Sequence, residues 1–372
     1  MLTVLEVLLG LFILVNIFTE IFEAVVMTYP LQHSLFRVVP MVYGKGLWLF
    51  WRKLGKSITP ILQRELFYAS FAPLSLVMIL MFWIVGLMAG FALLYWALAT
   101  QFHPVIKDYP TAFYMAATTL MSANTGAILP VTFLAQLLYA ATAVIGLGIF
   151  GIYITWAFML TNYVKQRDVL VLRFSIRNRS HMTMLPLLSE NAKETLTATL
   201  NEAFSTWEGW ASDILLTHVA YPVMPYFRSF NQWELSWLNA LEIMLDIASM
   251  VIVTEEPGAL QSALRFYQLG TQVLYSFCFH YRLEIKAHTG THEERYQSAF
   301  SELKTAGFEI TDPEQFKENF NTLRHQYERH VATLMHHLAI PDKPIHIDHE
   351  RFFNVDKVKL LTQIYDNTCH NK

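Results

Sequence analysis

Charged residues are scarce in the first half of this chain. Only 12 of the 57 Lys, Arg, Asp and Glu residues occur before residue 164, and none occurs in residues 67–100 or 133–163. Uncharged apolar runs of this length are typical of membrane-spanning helices. The mean hydropathy of +0.32 excludes an intrinsically disordered chain, and we expect the protein to lie partly in lipid.

Cysteine and metal-binding motifs are also scarce. The chain has two cysteines, too few for a disulfide framework or a paired Cys-x-x-Cys zinc motif. It has no His-Glu-x-x-His or Gly-x4-Gly-Lys-[Ser/Thr] sequence, the marks of metalloproteases and phosphate-binding loops. The net charge of −3 lacks the basic excess that nucleic-acid binding requires. We therefore expect no metal site, no organic cofactor, no nucleic-acid partner and no enzyme.

Three apolar runs predict three transmembrane helices. The first, residues 2–18, has no basic residues before it and no small-residue cleavage site after it, which favours a retained helix reaching about Met27 over a signal peptide. The second and third are residues 67–100, with Pro73 near the start, and residues 133–163. Each is long enough to cross a hydrocarbon core of about 30 Å.

The first predicted helix has one polar face. Asn16, Glu20 and Glu23 recur at i, i+4 and i+7, so this face is expected to point at protein or water instead of lipid. Two interpretations are open: pairing of the carboxylates with nearby Lys or Arg at the inner interface, or a role in an ion pathway.

Basic residues in the loops predict the orientation. Six lie between the first two runs and five directly after the third: Arg37, Lys45, Arg52, Lys53, Lys56 and Arg64, then Lys165, Arg167, Arg173, Arg177 and Arg179. Only Lys107 lies between the second and third runs. We predict an inner or plasma membrane protein with its N-terminus outside and its C-terminal half cytoplasmic. Residues 47–51, next to Arg52 and Lys53, are predicted to form an interfacial amphipathic helix.

Residues 109–132 predict a re-entrant segment between the second and third helices. The segment begins with Tyr109-Pro110, continues with about 12 helix-compatible residues and a short polar run, and ends near Ile128-Leu129-Pro130. A helix of this length is too short to span a bilayer, and backbone that stops inside a membrane must be buried in protein or line water.

This segment resembles the pore-loop channel superfamily, in particular the bacterial potassium-channel-like proteins often labelled two-pore-domain channel-like. Their pore helix ends in Thr-Leu-Thr and is followed by Thr-Val-Gly-Tyr-Gly-Asp and Ile-x-Pro. Thr119-Leu120 and Ile128-Leu129-Pro130 match this pattern without a gap. The resemblance implies a homotetramer and assigns these residues to the filter and ion pathway: Thr119, Met121, Ser122, Ala123, Asn124, Thr125 and Gly126.

The filter departs from the family where selectivity is decided. Asn124 replaces the first glycine, Thr125 replaces the tyrosine that packs behind the filter, and Ala127 replaces the aspartate of the outer mouth. Asparagine tolerates left-handed backbone better than other non-glycine residues, so a loop of similar shape is expected. Strong K⁺ selectivity is not expected, whereas passage of K⁺ or Na⁺ is.

The third run carries three glycines, Gly146, Gly148 and Gly151. Close packing against a neighbouring helix and a hinge are equally good explanations. Helical spacing from Gly148 gives a stripe that is predicted to line the cytoplasmic half of the pore: Ile152, Thr155, Met159 and Asn162.

The charged half is predicted to be a cytosolic α-helical domain. Its fourth helix is expected to start near Glu293, and Thr311-Asp312-Pro313-Glu314 predicts the capped start of a further helix that reaches about Leu338. Several of its segments also resemble the region that follows such pores in bacteria: residues 207–210, 221–223, 226–229, 236–238 and 245–246. A possible site for a small-molecule or ion ligand, or for gating, is assigned to Tyr221, Arg228, Trp237 and Asp246. Asp246 lies on an apolar helix and needs a cation, and Arg228 is the nearest basic candidate in sequence. The alternative is a structural ion pair or two unrelated exposed charges.

Twelve of the fourteen histidines lie in this half. Among them are His288, His292, His325, His330, His336, His337, His346 and His349. They are interpreted as surface or packing residues, with metal binding or proton sensing as the alternatives.

The sequence thus predicts an all-α membrane protein with three transmembrane helices, a re-entrant pore helix and filter-like loop, and a cytosolic helical domain. Its predicted parts are a first helix (1–29), a loop with an interfacial helix (30–66), a pore module (67–163) and a cytosolic domain (164–372). The predicted function is a tetrameric cation channel, weakly or not K⁺-selective, that its cytosolic domain gates. The alternative is a non-conducting membrane receptor or scaffold that reuses the pore-loop fold.

Overall fold

The computed structural model is predominantly helical. It describes residues 2–27, 38–43, 46–123, 126–177, 193–229, 235–254, 258–285 and 312–341, with residues 297, 300, 301 and 304. This structure is about 83% helical, and the only strands in its described part are two segments of two residues each. The all-α prediction is confirmed for these residues.

The described helices divide into an N-terminal, mostly apolar group and a C-terminal bundle. The first group is α1 (Leu2–Val25), α2 (Val38–Tyr43), α3 (Leu47–Lys56), α4 (Ile61–Ala69), α5 (Phe71–Ala97), α6 (Tyr109–Leu120) and α7 (Phe133–Arg177). The bundle contains α8 (Lys193–Ala220), α9 (Trp237–Val253), α10 (Leu260–His280) and α11 (Pro313–Leu338). Strand β1 (Phe102–His103) precedes α6, and β2 (Leu129–Pro130) follows it.

Three helical segments in the described part of the chain are long and apolar enough to cross a membrane: Thr3–Val25, Ile61–Ala97 and Phe133–Ser175. The prediction of three such helices is confirmed. The second segment joins α4 to α5 and begins six residues before the predicted Phe67. Helix α7 has 45 residues, about 67 Å, and passes without a break through residue 164, where the charge density changes.

Helix α1 packs closely along α5 because small residues face each other. A Cβ on Gly10 would come within 3.0 Å of the Gly90 carbonyl oxygen, and one on Gly86 within 2.5 Å of Ile17. Such glycine contacts let helices approach closely in membranes. On the same helix Asn16 is only 7% exposed and Glu20 only 3%, which confirms that this polar face points at protein.

The segment from β1 to β2, which contains the short helix α6, leaves and returns at one level of the fold. The Asp108 side chain accepts a hydrogen bond from Thr111 N at 2.8 Å, and Pro110 occupies the first turn, a favourable helix start. Strands β1 and β2 pair antiparallel, with Phe102 opposite Pro130. Because β1 leads into α6 and β2 leaves the loop after it, the chain returns to the side from which it came.

Two of the bundle helices, α9 and α11, begin at residues whose side chains cap the helix. The Ser236 hydroxyl accepts a hydrogen bond from Asn239 N at 3.1 Å at the start of α9. The Asp312 carboxylate accepts two at the start of α11, from the amides of Glu314 and Gln315, with Pro313 at the first turn. This confirms the start predicted at Asp312-Pro313. The fourth predicted bundle helix, near residue 293, lies almost wholly outside the described residues.

We predict that Gly146→Ala destabilises the protein and that Gly148→Ala does not. A Cβ on Gly146 would lie 1.9 Å from the Leu120 carbonyl oxygen, whereas one on Gly148 meets nothing within 4 Å. Overpacking of this kind costs about 1–3 kcal/mol, while alanine alone favours a helix by up to about 1 kcal/mol over glycine. The measurement is the thermal unfolding midpoint in detergent. Equal midpoints for the two variants would show that the contact with Leu120 does not matter.

Candidate functional site

The loop after α6 leaves the helix through left-handed backbone. The amide of Ser122 donates to the Thr119 carbonyl at 3.0 Å, and that of Ala123 to the Thr118 carbonyl at 2.7 Å. Ser122 has a φ of 52° and Gly126 a φ of +75°, values that favour glycine. Thr119 is buried and Met121 is exposed. The handedness expected at Asn124 stays a prediction, since Asn124 and Thr125 lie outside the described residues.

The three glycines of α7 have different surroundings. Gly146 faces the C-terminal end of α6 at Leu120, so close packing explains this glycine. Gly148 and Gly151 face open space. On the predicted stripe Ile152, Thr155 and Asn162 are exposed, whereas Met159 is half-buried, with its sulfur 3.9 Å from the Tyr221 hydroxyl.

Much of α7 is uncovered in the single chain. Within the most apolar window of each spanning segment, 17% of the residues are buried for α7, against 33% for α1 and 44% for α4–α5. Its exposed apolar side chains run along most of its length: Val144, Leu147, Ile152, Ile154 and Phe158. Lipid or further protein must cover this surface.

Near its C-terminal end, α7 binds the turn at residues 224–226 through the side chain of Arg167. The Arg167 side chain is 2% exposed. It donates to the Asp168 carboxylate at 2.9 Å, the Met224 carbonyl at 3.2 Å and the Phe227 carbonyl at 2.9 Å. A buried guanidinium needs such acceptors, so α7 and this turn are held together.

The same turn contacts α2, α3 and α11 through Tyr226. The Tyr226 hydroxyl donates to the Tyr43 carbonyl and lies 3.0 Å from His337 Nε2. The indole of Trp48 donates to the His337 carbonyl at 2.8 Å. Burial, reinforced by the nearby Arg52 and His336 charges, lowers the pKa of His337 to about 4. The imidazole is therefore neutral at pH 7, and its Nε2–H can donate to the Tyr226 oxygen.

Two arginines bind the C-terminal end of α11. Arg228 donates to the Ala339 carbonyl at 2.9 Å and lies 3.9 Å from the Glu65 carboxylate of α4. Arg52 of α3 donates to the His336 carbonyl at 2.8 Å. Cations are favourable at a helix C-terminus. We call the meeting point of residues 224–228 with α3, α4, α7 and the end of α11 the junction.

Asp246 lies elsewhere, in a charged cluster inside the bundle. It accepts a hydrogen bond from the Tyr327 hydroxyl and lies 3.8 Å from Arg324 Nε. Arg324 also lies 3.5 Å from Glu242 and 4.0 Å from Glu328. Arg228, the basic candidate nearest to Asp246 in sequence, is therefore not the cation that meets it. Nearby carboxylates outweigh burial and raise the pKa of Arg324.

The structure brings three of the four predicted ligand-site residues to one region. Tyr221 accepts a hydrogen bond from Met224 N at 2.9 Å, and Trp237 lies under the Arg167 guanidinium, 5.8 Å away. Tyr221 and Arg228 flank the turn at residues 224–226, and Trp237 is next to the turn's partner Arg167. Asp246 follows Trp237 by nine helical residues, about 13 Å, so the four do not form one site.

Two bundle histidines are packing residues. His218 is fully buried between the rings of Trp237 and Phe277, and burial together with the Arg167 charge lowers its pKa. His337 is buried at the junction. The described part of the chain has no group of three His, Cys, Asp or Glu residues that could hold a metal ion; His288, His292, His346 and His349 lie outside it.

Sequence reasoning missed most of the junction. In the sequence, Arg167 and Arg52 are basic residues that predict only the orientation of the helices, and Glu65 belongs to none of the predicted sites. Glu65 is the sole acidic residue in the basic segment 30–66, the one signal that pointed to a specific partner.

Comparison with protein-family models, curated proteins and solved structures found no match. The resemblance to pore-loop channels therefore remains a prediction from the residues quoted above. The described contacts of this chain are what a functional proposal must rest on.

We predict that Arg324→Met destabilises the bundle far more than Arg265→Met. Removing Arg324 leaves Glu242 and Glu328, both 6% exposed in their side chains, without the cation between them. Breaking a buried pair in this way costs about 3–5 kcal/mol. Arg265 pairs with Glu208 at 3.5 Å but is 58% exposed, and such pairs contribute at most about 1 kcal/mol. Chemical unfolding of both variants measures the difference; similar losses would show that the cluster does not stabilise the bundle.

Proposed function

We propose that four copies of this chain form a cation pathway that the C-terminal bundle gates. The observation that carries the proposal is α6, a helix of 12 residues, about 18 Å, between two helices long enough to cross a membrane. The strands on either side of α6 and its loop pair with each other, so this segment enters and leaves at one level. Backbone that stops short within a bilayer must be buried in protein or line water.

The loop after α6 suits a narrow ion path. Left-handed backbone at Ser122 and Gly126 turns successive carbonyls in directions that regular helix or strand would not allow. The C-terminal end of α6, which carries partial negative charge, leads directly into this loop. Both features favour a cation over an anion.

The exposure of α7 supports assembly of several copies. One loop per chain cannot enclose a path, so the missing walls must come from other copies. Gly148, Ile152, Thr155 and Asn162 are all exposed in the single chain, as expected of residues that face a shared pore. Fourfold symmetry follows from the resemblance to pore-loop channels.

Selectivity is expected to be weak. Asn124, Thr125 and Ala127 replace the glycine, tyrosine and aspartate of the potassium filter. These replacements change the direction of the filter carbonyls, the packing behind the filter and the charge at its outer mouth. The proposed cargo is K⁺ or Na⁺, in an inner or plasma membrane with the N-terminus outside and the bundle in the cytoplasm.

The junction supplies the proposed route of gating. The turn at residues 224–226 is bound to α7 through Arg167. Arg228 links this turn to α4 and to Ala339, the residue directly after α11. A displacement of α11 relative to α4 must therefore move the turn, and with it α7. This assigns Arg228 a gating role and leaves Asp246 a structural one.

Ion flux through purified protein in liposomes tests the pathway. We expect wild type to pass both Na⁺ and K⁺, and Asn124→Gly with Thr125→Tyr to raise the K⁺/Na⁺ permeability ratio. Native mass spectrometry should give a tetramer. A monomer or dimer would contradict the shared pore, strong K⁺ selectivity in wild type would contradict the filter argument, and a folded tetramer without flux would favour the receptor or scaffold alternative.

Single-channel recording of Arg228→Gln tests the route of gating. Loss of the contacts to Ala339 and Glu65 should change the open probability severalfold while leaving unit conductance unchanged, because the junction lies away from the filter. Arg265→Gln, which removes an equal charge from an exposed pair, is the matched control. An unchanged open probability for Arg228→Gln would contradict gating through the junction.

A further inference from the structure

Helices α3 and α4 pack against each other before the start of α5, and both carry exposed apolar side chains. These side chains, which we call the α3–α4 face, are 44–58% exposed: Phe50, Leu54, Ile61, Leu62 and Leu66. On the opposite side of α3, Trp48 is buried against the junction. Helix α3 is therefore amphipathic in the folded chain: one face packs against the junction and the other is exposed.

The charges around this face are all basic. Lys53 and Lys56 are exposed and Arg64 is half-buried. Glu65 is the only acidic residue in residues 46–70; its side chain is 3% exposed and lies 3.9 Å from Arg228. The face thus presents apolar side chains and positive charge without accessible negative charge.

The position of the face fits a lipid leaflet as its partner. Helix α5 alone has 27 residues, about 40 Å, which exceeds a hydrocarbon core of about 30 Å, and α4 precedes it in the same apolar segment, Ile61–Ala97. Part of that segment must leave the core, and the basic residues lie at its N-terminal end. Exposed apolar side chains next to basic residues are typical of helices that lie in the headgroup layer of a membrane.

We propose that the α3–α4 face binds anionic phospholipids, with Lys53 and Lys56 on the headgroup phosphates and Phe50 and Leu54 among the upper acyl chains. Each lysine near an anionic leaflet strengthens binding about fivefold, so the pair contributes about twenty-five-fold. A zwitterionic lipid makes the same apolar contacts but lacks the net negative charge that attracts the two lysines.

The same helix connects the bound lipid to the bundle. Arg52, adjacent to Lys53, donates to the His336 carbonyl at 2.8 Å, and Trp48 donates to the His337 carbonyl. Lipid on one side of α3 therefore stabilises the helix that holds the end of α11 on the other. Binding itself does not depend on the proposed channel function; an effect of lipid on opening would rest on it.

Native mass spectrometry of the full chain in detergent, with dioleoyl phosphatidylglycerol or dioleoyl phosphatidylcholine added, tests the proposal. Wild type should retain phosphatidylglycerol in preference to phosphatidylcholine. Lys53→Gln with Lys56→Gln should weaken phosphatidylglycerol retention about twenty-five-fold, while Lys53→Arg with Lys56→Arg should preserve it. Lys304→Gln with Arg329→Gln removes two exposed charges from the bundle and is the matched control.

Equal retention of the two lipids by wild type, or equal losses in the Lys53/Lys56 and Lys304/Arg329 glutamine variants, would overturn the proposal. The thermal unfolding midpoint of each variant separates lost binding from lost folding. Because retention is measured without ion flux, its failure is distinct from a failure of the channel proposal.

Discussion

The burial of Arg167 is the constraint on which the connection between the apolar helices and the bundle depends. Removing a guanidinium from water costs several kcal/mol unless acceptors replace the solvent. Here the acceptors are Asp168 on the same helix and the carbonyls of Met224 and Phe227. Because these carbonyls belong to one turn, the turn cannot leave α7 without stranding a buried cation. Residues 224–227, between α8 and α9, are thereby held in place by a side chain of α7.

Two further arginines fix α11, because the carbonyls at the end of this helix need hydrogen-bond donors. The last carbonyls of a helix have no partners within it, and those of His336 and Ala339 accept hydrogen bonds from Arg52 and Arg228. One arginine comes from α3 and the other from the stretch that Arg167 holds. The end of α11 is thus bound by two parts of the chain that are far apart in sequence.

Local features of the fold were predictable from sequence, and the pairings across it were not. Long uncharged runs indicated the three apolar helices, and Asp312-Pro313 indicated the start of α11, because each depends on neighbouring residues only. The cation near Asp246 is Arg324, 78 positions further along the chain, and Arg228 lies near Glu65. Sequence proximity favoured Arg228 for Asp246, but the packing of α9 against α11 decides the pair.

The glycines of α7 show the same limit within one helix. Gly146 and Gly148 are equivalent in the sequence pattern, yet Gly146 faces the Leu120 carbonyl and Gly148 faces open space. Since α6 occupies the Gly146 side, the opposite side of α7 is the one left for a partner outside the chain. Gly148, Ile152 and Thr155 lie there, so the contact that closes one side of α7 also determines which residues are available to line a shared path.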